Sequence, residues 1–377
     1  MRAWPGKFVI GLTGNIATGK SVVRKMLEHL GAYGIDADAL GHRAIAKGAP
    51  AYQPVINIFG RYILGPDEQI DRSKLARLVF GDPAALKQLE TIVHPFVRQA
   101  VDLLIRRSTQ KVIVVEAIKL LESPLRQRVD SLWVTFAKPE VQIARLVQKR
   151  GMTEELARQR VAMQAPQEDK MAAADIVIFN NGNFEEAWRQ AAASWLELFP
   201  SEEATSLPAA TATRGEMVVE RARPRQAAEI AAFIGRVSGG QRNLSGEDIM
   251  AAFGEKAYIF LMIDQRPVGL VGWQVENLVA RTDDVYLEAN LPLANAMKVL
   301  LNEVEDASRN LQCEASLLFL PAQFSQHDEA WRSLGYEPRT IQNLGVRAWQ
   351  EAALETMSRD EVMYFKQLRQ DRVLRPV

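Results

Sequence analysis

The chain has 377 residues, of which 47% are hydrophobic and 24% charged, and its 46 basic side chains balance 46 acidic ones. This composition excludes an intrinsically disordered chain, and the zero formal charge excludes a uniformly basic nucleic-acid-binding protein. The balance is uneven along the chain. The first half (residues 1–200) holds 27 basic and 21 acidic side chains, a net of +6, and the second half (residues 201–377) holds 19 and 25, a net of −6. An anionic ligand is therefore expected in the first half.

The single cysteine, Cys313, cannot form an internal disulfide, and the four histidines have no metal-site spacing. The apolar stretch at the N-terminus is too short for a signal peptide or a membrane span. We therefore expect a cytoplasmic protein that binds neither nucleic acid nor a membrane. A homo-oligomer is compatible with this composition.

Strands and helices alternate through the first half, which predicts an α/β fold with a parallel sheet covered on both faces. A helix follows the first strand, and a long helix is expected at 83–108, broken near Pro95. The predicted strands lie at 7–14, 32–38, 111–117, 131–137 and 174–182.

Residues 200–215 read PSEEATSLPAATATRG, a linker composition. A strand near 217–224, a hairpin at 257–277 and a helix at 293–311 then predict a smaller α+β domain with a mostly antiparallel sheet. The tail is expected to form a basic amphipathic helix. The predicted units are 1–199, the linker 200–215, the α+β domain 216–351 and the tail 352–377.

GNIATGKS satisfies the G-x-x-x-x-G-K-S pattern, with a predicted strand before it and a helix after it. Its glycines let successive backbone N–H groups turn toward a phosphate, and the helix N-terminus adds partial positive charge. A glycine-containing turn with an incidental lysine is the alternative, which the flanking elements disfavour. The residues expected to bind phosphate here are Gly14, Asn15, Ile16, Ala17, Thr18, Gly19, Lys20 and Ser21.

The second predicted strand ends in IDAD, and period-two geometry places Asp36 and Asp38 on the same side of it. One carboxylate near the γ-phosphate would orient Mg²⁺ or its waters, and the other would accept a proton from a hydroxyl group. The alternative is a structural role, with Asp38 as the N-cap of the following helix.

Several separated segments share one order with the dephospho-CoA kinase family, and about residues 7–198 resemble that family. The segments are GLTGNIATGKS, IDADALGHR, LETIVHPFVR, KLLES, RLVQKRGMTEELARQR and ADIVIFNNG. The resemblance implies a P-loop NTPase-type parallel sheet with a helical lid. It also implies that the chain uses ATP and Mg²⁺ to phosphorylate the 3′-hydroxyl of dephospho-CoA, the last step of coenzyme A synthesis.

The resemblance implies residue roles as well. Asp38 would be the general base, Lys20 would stabilise transferring charge, Ser21 would bind Mg²⁺, and Arg145 in the lid would contact ATP. Substrate contacts are expected from Asp36, His94, Arg98, Glu122 and Gln164. His94 is alternatively a residue of a helix kink, and Arg98 a solvated charge.

The chain departs from the family at Ile118 and Lys119, which replace a proline and a leucine. We expect a different local loop with the same activity. Two other functions compete with this one. The first is another P-loop nucleoside or nucleotide kinase, and the second is a nucleotide-dependent switch. The HPFVR and DADALGHR segments disfavour the first, and the lid arginines with the acidic motif disfavour the second.

Residues 216 to about 350 resemble the GNAT acetyltransferase superfamily in strand and helix order. The pyrophosphate-binding loop of that superfamily needs glycines, whereas ANLPLANAMK has none, and Asn295 and Met297 occupy the expected positions. We therefore expect a degenerate GNAT-like domain with a role in regulation or assembly. An active acetyltransferase and a purely structural appendage are the alternatives.

Overall fold

Two β-sheets organise the chain, one in each half. The computed structural model describes residues 2–200, 215–321, 324, 327–358, 360–371 and 373–374. Most of the predicted linker, residues 201–214, lies outside the described residues. Within the described ranges, no helix is long and apolar enough to cross a membrane.

The first half contains the predicted parallel sheet, with strand order β2-β3-β1-β4-β5. The central strands are continuous apolar runs because helices cover both faces. The strands are β1 (Phe8–Gly14), β2 (Tyr33–Asp36), β3 (Val112–Glu116), β4 (Ser131–Phe136) and β5 (Ile176–Phe179). Since all five strands are parallel, the carboxyl ends of β1, β2 and β3 meet at one edge of the sheet.

Helices connect these strands. They are α1 (Lys20–His29), α2 (Ala37–Ala44), α3 (Tyr52–Phe59), α4 (Arg72–Phe80), α5 (Pro83–Arg107), α6 (Pro139–Arg150), α7 (Glu154–Ala162), α8 (Gln167–Ala172) and α9 (Phe184–Leu198). The break predicted near Pro95 is wrong, since α5 is continuous there. Its later turns bury Val101, Leu104 and Ile105, so packing against the sheet outweighs the lost backbone hydrogen bond.

The strand predicted at 32–38 is too long. It ends at Asp36, whose side-chain Oδ1 accepts a hydrogen bond from the Ala39 N–H at 2.8 Å and caps α2. Asp38 therefore lies in the first turn of α2, so the two aspartates do not share one side of a strand. Both positions hold a good capping residue, and the structure uses the first.

The second half contains a seven-stranded sheet in the order β11-β12-β10-β9-β8-β7-β6, antiparallel except for the pair β9 and β10. Its strands are β6 (Met217–Arg221), β7 (Ala257–Ile263), β8 (Arg266–Glu276), β9 (Val279–Leu287), β10 (Ala315–Pro321), β11 (Glu337–Pro338) and β12 (Glu361–Gln367). Its helices are α10 (Ala227–Val237), α11 (Gly246–Ala252), α12 (Leu293–Asn310), α13 (Asp328–Ser333) and α14 (Arg347–Thr356). The mostly antiparallel α+β arrangement agrees with the prediction.

The basic helical tail predicted for 352–377 is wrong. Residues 361–367 form β12, which pairs with β10 along its whole length, so the second domain does not end at 351. Tyr364 packs on one face of the sheet, while Met363 and Phe365 pack on the other face beside α14. A sheet covered on both faces explains three consecutive buried apolar residues, which resemble neither an amphipathic strand nor an amphipathic helix.

Candidate active site

The GNIATGKS loop connects β1 to α1 at the carboxyl edge of the first sheet, and its two glycines are sterically required. A Cβ on Gly14 would collide with Thr135 and Thr18 side-chain oxygens and would lie 2.6 Å from the Thr135 carbonyl oxygen. Gly19 has φ 91°, which side chains disfavour, and a Cβ there would collide with the Asn180 amide. The loop can therefore follow this path only with glycine at both positions.

Residues of neighbouring strands hold the loop from outside. Thr18 Oγ1 lies 2.7 Å from Thr135 Oγ1, and Asn180 Nδ2 donates to the Thr18 carbonyl at 2.9 Å. Arg145, the predicted ATP contact, donates to the carbonyls of Ala17 at 3.2 Å and Asn180 at 2.9 Å. The guanidinium thus lies beside the loop, with its charge next to the place where a phosphate would bind.

The segment between α7 and α8 lies over the loop. Gln164 Oε1 accepts a hydrogen bond from the Ile16 N–H at 2.8 Å, and Asn15 Nδ2 donates to the Ala165 carbonyl at 2.9 Å. Gln164, predicted to contact substrate, is therefore found at the phosphate loop.

Lys20 is buried, and its Nζ donates to the Asn15 carbonyl at 3.2 Å. Burial lowers the pKa of Lys20, while the charges of Glu116 and Asp38 act in the opposite direction. The ammonium group therefore lies within electrostatic range of both carboxylates and of the loop.

Glu116 is a site residue that sequence reasoning missed. It ends β3, is 4% exposed, and accepts hydrogen bonds from Ser21 Oγ at 2.8 Å and from Arg24 Nε at 2.9 Å. The sequence does carry one signal for Glu116, which is the acid at the end of the apolar run VIVVE. The carboxyl ends of parallel strands face the ligand crevice, so an acid at that position is a candidate site residue. A hydroxyl beside a carboxylate supplies the oxygen donors that Mg²⁺ prefers, so this pair fits the ion expected from the sequence.

Asp38 faces the loop that follows β3. Its Oδ2 accepts a hydrogen bond from the Ile118 N–H at 3.0 Å, and the Ile118 carbonyl accepts from Thr13 Oγ1 at 3.0 Å and Lys170 Nζ at 3.2 Å. Burial raises the pKa of Asp38, opposed by this N–H and by the charge of Lys20. A proline at position 118 has no N–H and could not make the bond to Asp38.

Asp36 is the more strongly perturbed carboxylate. Burial raises its pKa to about 6, and the neighbouring charge of Glu116 acts in the same direction, while Arg24 and the Ala39 N–H oppose the change. Its hydrogen bond to Ala39 assigns it a capping role in α2.

The remaining predicted substrate residues are exposed. His94 and Arg98 lie one turn apart on α5, and within the described part of the chain neither has a hydrogen-bond or ion-pair partner. Glu122 follows β3, and its charge opposes the lowering of the Lys170 pKa that burial causes. Glu122 therefore lies within electrostatic range of Lys170, which in turn bonds to the Ile118 carbonyl.

A parallel sheet with this glycine loop at its carboxyl edge, and with a carboxylate on the adjacent helix, defines a P-loop kinase. Residues 8–186 match the family model of dephospho-CoA kinase. Dephospho-CoA kinase of Geobacter sulfurreducens is 42% identical over 195 residues, which are 51% of this chain and 99% of that protein. The chain belongs to the dephospho-CoA kinase family, and the matching part is its first half.

Solved structures align with each half. TT1252 from Thermus thermophilus is 32% identical, with 51% of this chain and 98% of that chain covered and a TM-score of 0.47. An acetyltransferase of the GNAT family from Streptococcus pneumoniae is 14% identical, with 40% of this chain and 99% of that chain covered and a TM-score of 0.32.

Proposed function

We propose that Asp38 accepts the proton of the dephospho-CoA 3′-hydroxyl while that oxygen attacks the γ-phosphate of ATP. The observation that carries this proposal is the environment of Asp38, a half-buried carboxylate held by the Ile118 N–H within electrostatic range of Lys20. A base must face the acceptor hydroxyl and stay ionised, and these two neighbours orient the carboxylate and favour its charged form.

On the nucleotide side, the N–H groups of the loop and Lys20 would hold the β- and γ-phosphates. Ser21 would bind Mg²⁺ directly, and Glu116 would orient the Ser21 hydroxyl or a water on the ion. The ion would supply positive charge between the phosphates. The Ser21–Glu116 pair supports this assignment because its oxygen donors suit that ion.

The lid would act through charge and position. Arg145 already lies beside the loop, and the charge of Arg150 acts on Lys20. Both would stabilise negative charge on the transferred phosphoryl group and exclude water from it. His94 and Arg98, exposed on α5 with no partner among the described residues, would contact the acceptor substrate.

An ADP-release assay on the full chain, with ATP and Mg²⁺, tests the acceptor. We expect ADP release to require dephospho-CoA and to be absent with adenosine or nucleoside monophosphates. Release with a nucleoside monophosphate would indicate a different nucleotide kinase, and release without any acceptor would indicate a nucleotide switch.

For the second half we propose a regulatory or assembly role, supported by the absence of glycine from 289–298, where an acetyl-CoA loop is expected. A cytoplasmic location and a homo-oligomeric state stay predictions. The regulatory or assembly role of the second half is tested by incubating the full chain with acetyl-CoA and a panel of amines, followed by mass spectrometry. Robust acetylation would contradict it.

A further inference from the structure

The two-residue turn between β8 and β9, together with the last two residues of β8, forms a hairpin tip (residues 275–278) that contacts the first half. Asn277 and Leu278 adopt left-handed φ values of 50° and 61°, as a tight two-residue hairpin turn requires. Leu278 is 8% exposed and belongs to a hydrophobic cluster with Tyr33, Leu40 and Leu104 of the first half. A residue of the second half therefore completes the core beneath α2.

Backbone carbonyls of the same tip bind two helices of the candidate active site. Lys25 on α1 donates to the Val275 carbonyl at 2.8 Å, and Arg43 on α2 donates to the Asn277 carbonyl at 2.7 Å. The helix α1 begins with Lys20, and α2 carries Asp38 in its first turn. The tip thus fixes the spacing between the helix that follows the phosphate loop and the helix that carries the proposed base.

Arg43 has a second partner in the second half. Its Nη2 lies 2.5 Å from Glu314 Oε1, and the two side chains are 8% and 0% exposed. Glu314 Oε1 also accepts from the Val373 N–H at 3.3 Å, while Oε2 has no hydrogen-bond partner among the described residues. A buried carboxylate is strongly destabilising without an opposite charge, so this pair ties α2 firmly to the second half.

The tip also lies next to the start of α2. Asp36 and Arg24 of the first half and Glu276 and Asn277 of the second half all line one cavity of about 40 Å³, which has room for a water molecule. The second half therefore lines a cavity at the capped end of α2 and binds the other end of α2 directly through Arg43.

We propose that Arg43, Glu314 and the hairpin tip are positioning elements of the kinase site, so that the second half controls phosphoryl transfer by holding α2. This inference rests on the proposed role of Asp38. None of these residues touches the loop that would bind ATP, so their loss should slow turnover more than it weakens nucleotide binding.

This inference is tested on full-length variants. For each variant we would measure kcat, the KM values for ATP and dephospho-CoA, and the melting temperature. We expect Arg43→Met to lower kcat about 10-fold with less than about a 2-fold change in the KM for ATP, the pattern of a lost orientation effect. Arg43→Lys keeps the charge and should recover part of kcat. The matched control Asp371→Asn removes another ion pair between the halves, Arg107–Asp371 at 2.8 Å, and should leave kcat unchanged.

Because Arg43→Met leaves Glu314 buried without a cation, a double variant Arg43→Met with Glu314→Gln separates stability from positioning. We expect its melting temperature to return toward that of the natural chain while kcat stays low. A natural kcat in the folded double variant would overturn the inference. If Asp38→Asn also had the kcat of the natural chain, the proposed role of Asp38 would fail as well. If instead Asp38→Asn were slow while the double variant had the kcat of the natural chain, only the positioning inference would be overturned.

Discussion

The backbone N–H of Ile118 donates to the carboxylate of Asp38 at a distance of 3.0 Å. Proline, the residue expected here from the family resemblance, has no such hydrogen. The departure noted in the sequence therefore adds a contact to the proposed base.

Ile118→Pro should remove this contact and shift the pH dependence of the reaction. The N–H favours ionised Asp38, so its loss raises the pKa of a carboxyl that burial already raises. Since turnover needs the ionised base, the acidic limb of the kcat profile should move to higher pH. Ile118→Ala keeps the N–H and serves as the control. An unchanged profile in the proline variant would show that the contact does not tune the base.

Asp38→Asn should abolish most of the turnover while ATP still binds. The amide keeps the shape of the side chain but cannot take the proton of the acceptor hydroxyl, so kcat should fall about 100-fold or more. Calorimetric titration with a non-hydrolysable ATP analogue should give an affinity close to that of the natural chain. Retention of full kcat would remove Asp38 from its proposed role.

Glu116→Gln should weaken the response to Mg²⁺. The amide can still accept from Ser21, but it loses the negative charge beside the proposed metal position. Removal of such an outer partner commonly costs about 10- to 100-fold in metal affinity, so the Mg²⁺ concentration for half-maximal rate should rise at least about 10-fold. Glu197→Gln, an exposed acid on α9, is the control. Equal Mg²⁺ curves for both variants would argue against the assignment.

Asp36→Asn should stabilise the protein above neutral pH. The raised pKa of Asp36, about 6 against an ordinary 3.8, means that the folded state holds this proton more tightly than the unfolded state. Stability from this group is therefore fully present below pH 3.8 and is lost as pH rises through about 6. Asparagine also caps a helix but does not titrate.

The free energy of unfolding, measured in urea between pH 4 and pH 8, checks that prediction. The advantage of Asp36→Asn should grow with pH and level off above about 6, at a value on the order of 3 kcal/mol. An advantage that is constant across this range would mean that Asp36 is ionised throughout.

The features that the sequence predicts well are local ones. The glycine loop is recognisable because its residue types, the strand before it and the helix after it lie within one short stretch. Gly14 and Gly19 show why, since a Cβ at either position collides with a neighbour. The parallel sheet follows from alternating strands and helices, and the order of several motifs identifies the family.

The features that the sequence hides depend on distant partners. The sequence alone does not determine where α2 begins, because Asp36 and Asp38 are equally good capping residues. The sequence predicts a helix where β12 lies, because the pairing of β12 with β10 joins residues 40 to 52 positions apart and leaves no local pattern. Glu116 lacks a motif of its own, and its role becomes visible only when Ser21 and Arg24 lie beside it.

The pair formed by Arg43 and Glu314 bears on how the chain folds during synthesis. Domains near the N-terminus generally fold first as a chain leaves the ribosome. Arg43 would then lie on α2, hydrated, before Glu314 is synthesised. When the second half folds, the Glu314 carboxylate can be buried directly against the Arg43 guanidinium. In the opposite order, Glu314 would be buried without a cation. The order of the two halves along the chain is therefore the one that spares the nascent protein an unpaired buried charge.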